Sequence, residues 1–105
     1  MARDGTPEQK LKELAREKNR RLNAMTRDLK NMTESCRLIQ QQEVLEVSNQ
    51  AVTTGASQHD MYVVGKRLRE KHEAQFADIK RAFQKAVSVT IKDYHRLKQD
   101  MLRTI

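Results

Sequence analysis

Apolar side chains recur along the first half of the chain at alternating intervals of four and three residues. The series runs Leu11, Ala15, Lys18, Leu22, Met25, Leu29, Met32, Cys36 and Ile39, with Lys18 as its only charged member. This is the heptad spacing of helices that pack against a partner helix. After Ile39 the apolar positions slip by one residue to Val44 and Val47, which predicts a local unwinding of the supercoil.

An uncharged stretch interrupts the chain between Glu46 and Asp60, although 33% of all residues are charged. Within it, Gly55 can adopt the left-handed conformation that ends a helix, and Ser57 can cap the next one. The Thr6–Gln9 segment has the same capping pattern. We therefore predict a flexible N-terminus at 1–5 and a single hairpin over 6–105, with helices at about 7–53 and 58–104 and a turn at about 54–57.

The second helix carries a matching apolar stripe. A fold-back near Gly55 places Ile39 opposite His72 and Cys36 opposite Phe76. The predicted interaction seam consists of Leu22, Met25, Leu29, Met32, Ile39, Ile79 and Phe83. The fold class is therefore all-α: a long, coiled-coil-like antiparallel two-helix hairpin.

The apolar face of the second helix is wider between Ile79 and Ile91 than one partner helix requires. The candidate partner face consists of Val87, Val89 and Ile91. We therefore expect self-association or a protein partner to complete the hairpin into a helical bundle.

The net charge of +7 is unevenly distributed. Residues 1–30 contain nine Lys and Arg against five Asp and Glu, and residues 66–105 contain eleven against five, whereas residues 31–65 contain one against four. A hairpin brings the two basic segments together into a stem that could attract an anionic membrane or nucleic acid, or could simply be a solvated face. The candidate anion-binding residues are Arg20, Arg21, Lys66, Arg67 and Arg69.

No motif in the chain indicates catalysis. His72-Glu73 lacks the second histidine of a zinc-protease motif, and no glycine-rich nucleotide loop is present. We expect no enzyme activity, cofactor, metal, small-molecule substrate or ligand-sized pocket. The triplet 40–42, three glutamines, could select the register of a partner helix, but it is interpreted as a solvent-facing stretch of helix. A single cysteine, without a secretion signal or transmembrane segment, predicts a cytoplasmic protein in a reducing compartment.

Thr6-Pro7-Glu8 followed by Leu11, a basic first helix, a turn and a basic second helix resembles the core helical hairpin of the membrane-remodelling ESCRT-III proteins. The likeness lies in the length of the hairpin and its basic stem, and it assigns no individual site residue. It implies a protein that polymerises on anionic membranes.

Three functions are consistent with the sequence. The first is a non-catalytic helical interaction subunit, such as a scaffold, adaptor or chaperone-like holder, within a homo-oligomer or larger complex. The second is a basic hairpin that binds and polymerises on anionic membranes, as in ESCRT-III. The third is a basic coiled-coil protein that binds nucleic acid.

Overall fold

The protein consists of two long α-helices. A computed structural model describes residues 6–104, in which α1 spans Pro7–Thr54 and α2 spans Gln58–Arg103. The predicted all-helical fold with two long helices is confirmed, and completion into a bundle stays a prediction. The flexible segment predicted at 1–5 lies outside the described residues.

The start of α1 is fixed by a capping box. The backbone N–H of Gln9 donates to Thr6 Oγ1 at 3.2 Å, and the backbone N–H of Thr6 donates to Gln9 Oε1 at 3.1 Å. Pro7 occupies the first helical position, where a missing N–H costs nothing. The cap therefore satisfies donors that the first turn of a helix would otherwise leave free.

The turn between the helices follows from Gly55. Its φ of 66° is left-handed, and it is the only residue among 6–104 with a positive φ. Gly55 N–H donates to the Val52 carbonyl and Ala56 N–H to the Ala51 carbonyl, which together form a Schellman motif. Ser57 Oγ then accepts the N–H of Asp60 at 3.1 Å and caps α2. The chain therefore reverses within three residues.

The helices contribute to two compact units. The turn unit comprises residues 29–81, and the end unit contains α1 up to Asp28 and α2 from Ala82. The turn unit carries eight Lys and Arg against seven Asp and Glu, and the end unit carries thirteen against seven. Most of the net positive charge therefore belongs to the end unit.

Neither unit contains a fully buried hydrophobic side chain among residues 6–104. The only buried residues there are polar: Gln40 is 7% exposed and Thr90 is 2% exposed. Two helices can cover only one side of each other, so most seam residues are half-buried. The hairpin therefore lacks the apolar core that usually stabilises a small domain.

Met32 and Ile39 correct the predicted seam. They are 54% and 66% exposed, whereas Thr33 is half-buried and Gln40 is buried with its amide in contact with α2. The reason is the period: at 3.6 residues per turn, the eleven residues from Leu29 to Gln40 return the helix to nearly the same side, while a strict heptad drifts away from it. The phase change thus occurs after Leu29, ten residues earlier than predicted.

The register between the helices also differs from the prediction. Gln40 contacts both His72 and Gln75, and Met25 contacts Thr90, each further along α2 than the symmetric pairing places them. Helical side chains lean toward the N-terminus of their own helix. In this antiparallel pair, side chains of α1 therefore lean away from the turn and side chains of α2 lean toward it. A residue of α1 then contacts a residue of α2 whose Cα lies further from the turn than its own.

One finding bears on membranes. Within residues 6–104, neither helix contains a stretch that is both long and apolar enough to cross a bilayer.

We expect Gly55→Ala to lower the free energy of unfolding by about 1–2 kcal/mol, because a Cβ is strained at a left-handed φ. A Cβ at Gly55 would meet no atom within 4 Å, so crowding does not contribute. Urea unfolding measures the difference. Gly55→Asn is the control and should lose less, since asparagine tolerates this conformation. Equal losses for the two variants would contradict the backbone explanation.

Candidate interaction site

An apolar groove runs between the helices of the turn unit. We call it the turn groove, and its volume is about 850 Å³. Its apolar walls are formed by Val44, Val47, Ala51, Met61, Val64 and Leu68, with Tyr62, Gly65, Arg69 and His72 also lining it. The expectation of no ligand-sized concave surface is therefore wrong, because two helices enclose space that neither encloses alone.

The walls of the turn groove are accessible to solvent. Val44 is 44% exposed, Met61 47% and Val64 42%. These positions recur at helical spacing on each helix, so they form continuous apolar strips rather than isolated residues. A contiguous apolar surface of this kind typically marks an interaction site.

Gly65 lies in the wall that α2 contributes. A Cβ built there would meet no atom within 4 Å. Glycine inside a helix costs about 1 kcal/mol relative to alanine. Packing within the chain does not explain why this position lacks a side chain.

A buried amide lies at the contact between the helices of the turn unit. Gln40 Nε2 donates to Gln75 Oε1 at 3.0 Å and lies 3.3 Å from the His72 carbonyl oxygen and 3.2 Å from Cys36 Sγ. The interpretation of this glutamine as solvent-facing is therefore wrong. Its spacing of four residues from Cys36 and eleven from Leu29 is the signal that could have placed it on the seam.

A charged cluster adjoins this amide. Lys71 Nζ donates to Glu43 Oε1 at 2.9 Å, and His72 Nε2 lies 3.6 Å from the same oxygen. The His72 side chain is 12% exposed, and its buried Nε2 makes no hydrogen bond. The hydrogen bond from Lys71 lowers the pKa of Glu43 below its ordinary value of 4.5. Partial desolvation opposes this, while the charges of Lys71 and His72 add to it.

The end unit has its own polar layer. The Thr90 hydroxyl donates to the Ala86 carbonyl at 2.9 Å, and its oxygen lies 3.7 Å from Met25 Sδ. Nearby, Lys18 Nζ lies 4.5 Å from the centroid of the Tyr94 ring. This cation–π contact explains how a lysine occupies a seam position.

The other predicted seam residues are half-buried. They are Leu22, Met25, Leu29, Ile79 and Phe83. In the candidate partner face, Val87 is half-buried, Val89 is 49% exposed and Ile91 is 37% exposed. Val87 and Ile91 share one side of α2, and Val89 lies on the other side of the strip that contains Thr90.

The candidate anion-binding residues fall into both units. Arg20 and Arg21 belong to the end unit, and Lys66, Arg67 and Arg69 belong to the turn unit. Arg20 pairs with Glu17 at 3.1 Å, and three further exposed Arg–Asp pairs form one helical turn apart on α2. Part of the basic charge is therefore balanced locally. Among residues 6–104, no group of three or more His, Cys, Asp or Glu side chains is arranged to hold a metal.

Comparison with protein-family models, curated proteins and solved structures gives no match to this chain.

We expect Gln40→Ala to lower the free energy of unfolding by about 1–3 kcal/mol, because the buried acceptors on α2 lose their donor. Gln75→Ala and the double variant complete a thermodynamic cycle, with an expected coupling of about 0.5–1.5 kcal/mol. Urea unfolding at one protein concentration measures all four proteins. Gln41→Ala, at an exposed neighbour, should change stability by less than about 0.5 kcal/mol. Zero coupling would exclude the amide contact in solution.

We expect the stability difference between wild type and Glu43→Gln to depend on pH. Because the folded-state pKa of Glu43 is lowered, its carboxylate stabilises the fold above the unfolded-state pKa. This contribution is lost as the pH falls through the lower, folded-state pKa. The thermal midpoints of wild type and Glu43→Gln, measured from neutral pH to below about pH 4, should therefore converge as the pH falls.

The control for this series is Glu34→Gln. Glu34 is exposed and forms no ion pair within residues 6–104. Glu34→Gln should have the same thermal midpoint as the wild type at every pH. A constant offset for Glu43→Gln across the whole range would show that the carboxylate charge does not matter.

Proposed function

We propose that the chain is a non-catalytic helical interaction subunit, a scaffold or adaptor that completes a bundle with helices from a second chain. The observation that carries this proposal is the absence of any buried hydrophobic side chain in residues 6–104. Apolar residues stabilise a fold only when they leave water. The apolar strips of this hairpin therefore need further helices to cover them.

The exposed apolar side chains support the same proposal. Among residues 6–104, thirteen large hydrophobic side chains are exposed, including Met32 at 54%, Val52 at 78% and Leu102 at 51%. A stable protein–protein interface buries about 800 Å² on each partner, and its centre is more apolar than the rest of the surface. These side chains supply the kind of surface that such an interface covers.

Binding to an anionic membrane or to nucleic acid is less well supported. Exposed acidic residues alternate with the basic ones, and several arginines pair with an acid on their own helix. Stacking on successive bases would need several exposed aromatic rings. Tyr62 is exposed, whereas Phe76, Phe83 and Tyr94 are half-buried. The apolar strips, by contrast, stay largely exposed within residues 6–104, so they offer a surface that a partner can cover.

If another chain stabilises the hairpin, folding and association are coupled. We expect Val89→Asp combined with Ile91→Asp to lower the thermal midpoint, because charges on an apolar contact surface oppose its burial. Circular dichroism melts over about a hundredfold range of concentration should show a rising midpoint for the wild type and a weaker rise for the variant.

The matched control adds the same two charges at Gln84 and Ser88, two exposed polar positions on α2. It should keep the concentration dependence of the wild type. A fully helical wild-type monomer whose midpoint is independent of concentration would refute the proposed function. Equal effects of the two double variants would exclude Val89 and Ile91 as contact residues.

A further inference from the structure

We propose that the turn groove is the docking site for the turn groove of a second copy of this chain, related by a two-fold axis. This inference rests on the proposed function and names its partner and its surface. A two-fold contact must be self-complementary in shape and in charge. Three observations on the turn unit meet this requirement.

The first observation is the accessible apolar wall. Val44, Met61 and Val64 each remain at least two-fifths exposed. Tyr62, which is 62% exposed, also lines the groove. Tyrosine and methionine are enriched at protein interfaces, where a large side chain fills a pocket on the partner. The groove therefore offers both a cavity and side chains that fill one.

The second observation is Gly65. Nothing in the chain lies within 4 Å of the place its Cβ would take. The helix accepts the cost of a glycine without any packing gain inside its own chain. Gly65 leaves room for another backbone to approach the wall of the groove, as small residues do at close helix contacts.

The third observation is the charge on the two helices that form the groove. From Leu38 to Thr54, α1 carries Glu43 and Glu46 and no basic residue. From Gln58 to Lys71, α2 carries four basic residues against Asp60 and Glu70. One of the four, Lys71, already pairs with Glu43 of its own chain, so Glu46 and the other three basic residues remain for a partner. A two-fold axis can set α1 of each copy beside α2 of the other. The acidic stretch of α1 then lies next to the basic stretch of α2 at two equivalent contacts. One copy therefore supplies both halves of a complementary surface.

The test measures the mass of the full chain by light scattering during size-exclusion chromatography, and its dissociation constant by sedimentation equilibrium. The wild type should have twice the mass of the 12.3 kDa chain. Gly65→Leu should weaken association at least about tenfold, because the side chain occupies the space for the partner. Its helix content should stay the same or rise, since leucine favours helix over glycine.

A second variant tests the groove wall with a matched control. Val64→Asp puts a charge into the groove and should also weaken association at least about tenfold. Val52→Asp makes the same change at a valine that is 78% exposed and does not line the groove. It should leave the dissociation constant within about twofold of wild type.

A mixing experiment tests the two-fold arrangement. One variant makes α1 basic, with Glu46→Lys and Gln50→Lys, and the other makes α2 acidic, with Lys66→Glu and Arg69→Glu. Each alone brings like charges together and should dimerise more weakly than wild type. Their mixture should recover the dimer, because each then meets an opposite charge on both flanks. The recovery should weaken as salt increases.

Several outcomes would overturn the inference. A dimer unaffected by Gly65→Leu and Val64→Asp would place the contact elsewhere, and failure of the mixture to recover would exclude the two-fold pairing. A wild-type monomer of low helix content would exclude a second copy as the partner. The partner in the proposed function would then be a different protein. A wild-type monomer that is fully helical, with an unfolding midpoint independent of concentration, would overturn both.

Discussion

Two helices in contact can cover each other along only one side, and this constraint governs the rest of the protein. No hydrophobic side chain among residues 6–104 becomes buried, and the seam leaves most of its members half in water. A longer hairpin would not change this, because each added turn brings as much exposed as covered surface. Local chemistry therefore specifies the helices and their turn, while the contact between them buries little apolar surface. This is why we propose that a second chain adds to the stability of the hairpin.

The polar layers acquire their importance from the same constraint. Apolar contacts of a half-buried seam resemble one another and tolerate a shift of one turn. The amide contact between Gln40 and Gln75 does not, since a shift would leave buried hydrogen-bonding groups without partners. The pair formed by Glu43 and Lys71 adds a second requirement at the next turn. Polar groups thus select one alignment of helices that hydrophobic contact alone would leave free to slide, as a buried asparagine does in coiled coils.

The sequence predicts the parts of the fold that neighbouring residues determine. The capping box at Thr6, the left-handed Gly55 and the cap at Ser57 each depend on residues no more than five positions apart, and all three are confirmed. The seam between Leu29 and Val47 is different. Its phase depends on whether the helices supercoil, and its register depends on the lean of side chains on both helices. The apolar periodicity of one helix reveals neither the supercoil nor the register, which explains why the predictions for Met32 and Ile39 are wrong.

The turn groove could not be predicted for a related reason: its volume is set by the separation of two helices, which no single stretch of sequence encodes. Its chemistry, however, is present in the uncharged residues between Glu46 and Asp60. A turn needs only about three of these positions. The remaining ones include Val47 and Ala51 of the groove wall. A charge there would have to lose its water if a second copy covered the groove as proposed, at a cost of several kcal/mol. The absence of charge on the α1 side of the groove is therefore what the proposed contact requires, whereas α2 contributes Asp60 and Arg69 to the lining.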